Sequence, residues 1–161
     1  MWRLWRPDAV RALEDPKVVS SMPRYIGILK GKLLSKFVIS RQVQVEWGSD
    51  SSEDELWDIH DASLRKMEKL MRDLDSGRIH PDELGDPPKK SLLHLKARIG
   101  ESIMRSCRLC ERRCGADRLK GELGFCRVGR EFRVHSCFDH LGEEPEVVPS
   151  FTVYGSRVRP N

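Results

Sequence analysis

No run in the 161-residue sequence approaches the ~20 consecutive apolar residues that a membrane-spanning helix needs. The first residues, Met1-Trp2-Arg3-Leu4-Trp5-Arg6, lack the apolar stretch of a secretory signal, so the expected compartment is the cytoplasm. Nor does a nucleic-acid-binding motif accompany the basic residues, which are spread among apolar ones. What is present, 34% charged and 39% hydrophobic residues, argues for a globular chain with a modest core over a disordered one. Cysteine is also scarce, with five in all, but four of the five fall within one short stretch.

That stretch is Cys107 to Cys126, CRLCERRCGADRLKGELGFC, with the spacing C-x2-C-x3-C-x11-C. A C-x2-C pair lets two thiolates from one tight turn face a single ion or cluster edge, and a more distant cysteine closes the coordination. Gly115, Gly121 and Gly124 fit the same reading, because a backbone wrapping closely around a metal needs residues that tolerate positive φ. Disulfides are the rival reading and would require an oxidising compartment. Between Cys107 and Cys137 there are eight basic and four acidic residues. That surplus stabilises thiolates, although a basic surface around buried structural cysteines is the blander account. Zinc and iron–sulfur are both compatible with the spacing.

The segment CRLCERRCGADRLKGELGFCRVG, followed by HLGEEP, resembles the N-terminal part of radical SAM proteins related to pyruvate formate-lyase activating enzyme. The matching pieces are Cys107 to Cys114, Asp117 to Cys126 and Gly142 to Pro145, and the likeness covers roughly Cys107 to Tyr154. The resemblance implies metal ligation by Cys107, Cys110, Cys114 and Cys126, with an iron–sulfur cluster or a zinc ion as the cofactor. It implies S-adenosylmethionine only for an intact family member. It also implies, as partners, a separately encoded radical SAM catalytic part or a glycyl-radical-type protein substrate. One departure is decisive: Ser150 to Tyr154 reads as the apolar strand that precedes the catalytic C-x3-C-x2-C loop, yet Gly155 to Asn161 follow with no such loop. The chain is therefore expected to be inactive alone, and the break at Gly155 points to a shifted reading frame or a split gene.

The remaining pattern predicts mainly helix. Pro7 to Leu13 reads as a short helix ended by Pro16, and Ile26, Leu29, Leu33 and Phe37 as one amphipathic helix from Pro23. Val38, Ile39, Val43, Val45 and Trp47 read as an extended exit, and the four tryptophans, Trp2, Trp5, Trp47 and Trp57, as core anchors. Residues 1–45 carry nine basic and three acidic side chains, against four and nine in residues 50–75, so the acidic segment is expected to pack on a basic neighbour. Ser52 followed by Glu53, Asp54 and Glu55 opens a long helix that closes at Gly77, and a third runs from Ser91 to about Arg105. Glu131 to Ser136 alternates as a strand, with Cys137 past its end as a small apolar residue. His60 could bind metal but reads rather as a lone exposed or half-buried histidine, His135 and His140 are reserve ligands only, and Glu143 and Glu144 before Pro145 read as a turn.

The expected fold is mainly α, with a cysteine-rich metal-binding knuckle and short β-strands, ending at the start of an incomplete (β/α) barrel. Residues 1–105 form the helical region, 106–137 the four-cysteine segment and 138–161 the start of the truncated barrel. The function expected is a metal-binding N-terminal fragment of a radical SAM protein. A stand-alone zinc-binding protein-interaction module is the alternative, and a nucleic-acid-binding zinc ribbon a third class.

Overall fold

A computed structural model describes residues 2–131 and 133–156. The expectations for Phe132 in the first strand and for the tail 157–161 lie outside them. The chain divides into two units: Leu33 to Phe125 forms one, and the described residues up to Lys32 and from Cys126 form the other.

The unit built from the two ends starts with four short helices: α1 (Trp2–Trp5), α2 (Pro7–Ala12), α3 (Pro16–Ser21) and α4 (Pro23–Leu29). Proline opens the last three, where its missing N–H costs nothing. The Asp15 side chain accepts from Lys17 N at 2.7 Å and caps α3. Two strands follow, β1 (Arg133–His140) and β2 (Ser150–Ser156), paired antiparallel with Cys137 opposite Val153 and a bulge between Val134 and Ser136. Among the described residues of this unit, Ala9, Leu13, Ile26 and Val148 are the buried apolar ones, and α2 packs against the 3-10 turn Pro145–Val147. The Arg6 guanidinium fastens that contact. It chelates the Asp8 carboxylate at 2.8 Å and donates to the carbonyls of Leu141 and Glu143, the latter at 3.1 Å. Arg6 thereby holds the Asp8 carboxyl down to about 2.

The central unit contains α5 (Lys36–Gln42), α6 (Glu53–Asp75) and α7 (Leu92–Arg105). Its core joins Ile39, Val43, Val45, Leu56, Met67, Leu74, Leu92, Leu95 and Ile99. Helix α6 begins with a reciprocal capping box: Ser52 Oγ accepts from Glu55 N at 3.2 Å, and Glu55 Oε2 accepts from Ser52 N at 2.8 Å. Its buried residues Leu56, His60, Ser63, Met67 and Leu74 fall at intervals of three, four and seven, the spacing of a single helix face. The segment after α5 runs extended beside the start of α7, with Val45 N donating to Lys90 O and Leu92 N to Val43 O.

Several expectations are corrected here. The described strands form a two-stranded antiparallel hairpin, not the start of a (β/α) barrel. The reason is the link: Leu141 to Pro149 is shorter than the dozen or more residues that a parallel crossover requires. Cys137 lies inside β1 and is exposed. The helix expected over Pro23 to Phe37 stops at Leu29, because Gly31 adopts φ 69° and breaks the repeat; Phe37 belongs to α5 and is exposed. Val38 and Ile39 are helical, and the extended exit starts at Val43. Of the tryptophans expected as core anchors, Trp5 is 73% exposed and Trp57 40%, Trp2 is half-buried, and Trp47 packs, half-buried, against the core of the central unit. The expected packing of the acidic segment on basic neighbours finds support in the pairs of Glu53 with Arg108 and of Asp73 with Arg78. No helix is long and apolar enough to cross a membrane among the described residues.

Candidate metal centre

The cysteine loop begins where α7 ends, one residue after Ser106. Cys107 N donates to Ala116 O at 3.1 Å and Gly115 N donates to Cys107 O at 3.0 Å, which closes residues 108–114 into a loop beneath a short paired neck. Inside it, Arg113 N donates to Cys110 O at 3.0 Å. Arg113 (φ 39°) and Gly115 (φ 70°) supply the left-handed turns that reverse the chain. The loop is tethered to α6 and α7 through Glu53, whose carboxylate accepts from Arg108 and, at 2.9 Å, from Ser102 Oγ. Arg108 in the first place, helped by Ser102, lowers the Glu53 pKa.

Two sulfurs come together in this unit. Cys107 is 1% exposed, and its Sγ accepts from Arg118 Nε at 2.9 Å. Cys114 Sγ lies 3.8 Å from Arg118 Nη2. The Cys114 thiol is held down to about 7, first by the backbone N–H of Ala116, then by that of Phe125, with Cys107 and Arg118 adding to the effect. Backbone N–H groups aimed at a sulfur favour its thiolate, the form that binds metals.

Arg118 reaches the sulfurs because the turn carrying it is fixed at both ends. The Asp117 carboxylate accepts from Leu119 N at 3.1 Å and Lys120 N at 3.2 Å, and Gly121 closes the 3-10 turn at φ 88°. Glu122 Oε2 accepts from Asp117 N at 2.8 Å and ties the far side of the turn back to its start. Arg112 lies 4.2 Å over the Phe125 ring.

Of the four expected ligands, then, Cys107 and Cys114 share one guanidinium, Cys110 is exposed on the loop, and Cys126 opens the second segment of the other unit. Among the described residues, no group of three or more His, Cys, Asp or Glu side chains stands ready to hold a metal ion. The donor chemistry of the Cys107 and Cys114 pair fits a thiolate-bound metal. Of the histidines, His60 is 7% exposed and engaged on both ring nitrogens, with Asp61 Oδ1 at 2.9 Å and Lys96 Nζ at 2.8 Å. His140 pairs with Glu143 at 3.0 Å, and His135 stacks edge-on against Tyr154. In the sequence Arg118 was one of eight basic residues around the cysteines; only the Asp before it and the Gly three places after it signal a capped turn.

The chain is similar to the uncharacterized protein MJ0674 of Methanocaldococcus jannaschii, with 36% identity over 131 residues, 81% of this chain. It spans 36% of the length of that relative. No family model matches the chain, and no solved structure matches it.

Proposed function

We propose that the protein is a thiolate metal-binding module, the auxiliary N-terminal region of a radical SAM protein that resembles pyruvate formate-lyase activating enzyme. Its ligands are Cys107, Cys110, Cys114 and Cys126, by their C-x2-C-x3-C-x11-C spacing. The observation that carries this reading is the convergence of the Cys107 and Cys114 sulfurs on Arg118, with backbone N–H groups directed at Cys114. Bound there, zinc would supply a structural cross-link and an iron–sulfur cluster a one-electron carrier. The chain's own part is to hold sulfurs as thiolates on a loop braced by Glu53 and by the capped turn at Asp117. Thiolate metal sites persist in a reducing compartment, and we propose the cytoplasm as the location.

The second reading is a zinc-binding module that docks another protein, such as a separate radical SAM catalytic part or a glycyl-radical-type substrate. Large apolar side chains left exposed on the hairpin, Phe138, Phe151, Val153 and Tyr154, favour it.

Metal and acid-labile sulfide analysis of anaerobically purified protein tests both readings. One centre per chain is expected, with Cys110→Ser lowering its occupancy, and sulfide accompanying iron only if the centre is a cluster. Metal on the order of 10 kcal/mol of binding free energy, as in small zinc domains, would also make the chain melt at lower temperature after chelation. A chain that carries no metal, and whose melting neither chelation nor Cys110→Ser alters, overturns the assignment.

A further inference from the structure

Arg118 is only 4% exposed, unusual for a side chain that is mostly found at the surface. A guanidinium taken out of water needs anionic or strongly accepting partners, and a neutral thiol is a weak acceptor. Two of its hydrogen bonds nevertheless run to sulfur, from Nε to Cys107 and from Nη2 to Cys114. The planar fork suits this task, since two N–H groups diverge from one rigid plane toward two separate acceptors. Gly124 lies close against the arrangement. A Cβ built there would lie 2.5 Å from Cys114 Sγ and 2.8 Å from Arg118 Nη2.

We propose that Arg118 and Gly124 form a clamp that positions the Cys107 and Cys114 sulfurs as a preassembled two-sulfur jaw for the metal. Arg118 supplies the two N–H donors and the positive charge that offsets a thiolate pair. Gly124 leaves the room in which Cys114 and the guanidinium can meet. Both are positioning residues: they act on the ligands and touch no metal themselves. The sulfurs keep lone pairs for coordination, because an N–H···S bond and a metal bond can share one thiolate. The inference rests on the metal-binding reading above and adds to it the residues that set its affinity.

The test uses the full chain, made metal-free under anaerobic conditions and titrated with Co²⁺ against a competing chelator. Arg118→Met is expected to weaken Co²⁺ binding by about 10- to 100-fold, the usual effect of removing a group that orients metal ligands. Arg118→Lys, which keeps the charge and loses the fork, should recover only part of that loss. Arg65→Met, which removes a positive charge from exposed α6, should bind like the unaltered chain. Gly124→Ala is the second variant. The atoms it crowds are the sulfur and the guanidinium tip, so it should lower affinity while the helical circular dichroism signal is retained. Unaltered affinity in both Arg118→Met and Gly124→Ala overturns the clamp. If the unaltered chain binds neither Co²⁺ nor iron, the metal-binding reading fails, and native-state alkylation then judges the clamp separately. Cys107 should be modified far more slowly than Cys110 in the unaltered chain and at a comparable rate in Arg118→Met; protection of Cys107 that survives Arg118→Met overturns it.

Discussion

Cys114 combines surface access with a thiol pulled down to about 7 by the N–H groups of Ala116 and Phe125. In metal-free protein it should react with iodoacetamide at pH 7 several-fold faster than a cysteine in an unstructured peptide, whose thiol titrates near ~8.5. Mass-spectrometric timing of the modification checks this, and a peptide-like rate would contradict the geometry. The linkage has a definite sign. The folded value lies below the unfolded one, so stabilisation from this group is fully present above the unfolded thiol value and is lost as pH falls through about 7. Metal-free protein should therefore gain resistance to urea between roughly pH 7 and 8.5. The same logic at Asp8, held down to about 2 by Arg6, places its loss in strong acid. At this scale the spacing marks the cysteine stretch within which Cys107 and Cys114 share one guanidinium. Arg118 could not be picked from its seven basic neighbours, because burial beside two sulfurs is a property of the folded turn.

Among the elements, α6 was legible almost residue by residue, since Ser52, the acidic first turn, the apolar face and Gly77 all act within a few residues of one another. Ser52→Ala removes one half of its capping box and should cost about 1 kcal/mol in urea unfolding. Leu95 of α7, fully buried in the core with Leu56 and Ile39, is a larger lever. Leu95→Ala should cost roughly 2–5 kcal/mol through lost contacts and the cavity left behind, measured the same way. The segment from Pro23 to Phe37 departs from its pattern, in which apolar residues at intervals of three and four continue straight across Gly31. Periodicity records only which residues are apolar, whereas the left-handed φ at Gly31 ends the helical path irrespective of pattern. Val38 and Ile39 illustrate the converse. Their β-branched character favours strands, but burial of Ile39 against α6 and α7 outweighs that preference in α5.

For the whole chain, the five cysteines of the sequence include no C-x3-C-x2-C loop of the kind that holds S-adenosylmethionine in the family proposed above. The 161-residue protein, reconstituted with iron and sulfide and supplied with a reductant, is therefore expected to form no 5′-deoxyadenosine above a protein-free control, as chromatography would show. Sequence alone determined the helical class of the first hundred residues and, among the described residues, that no helix is long and apolar enough to cross a membrane, because each follows from composition or from spacing within one turn or one helix. Tertiary structure decided the rest. An apolar run such as Ser150 to Tyr154 is equally suited to a barrel or a hairpin, and its antiparallel partner was fixed by a short link and by the α2 contact at Pro145–Val147. Whether a cysteine is buried, which arginine reaches it and where a glycine must leave space are likewise set by chain segments meeting in three dimensions. Those meetings depend on backbone hydrogen bonds and close packing that no local pattern encodes.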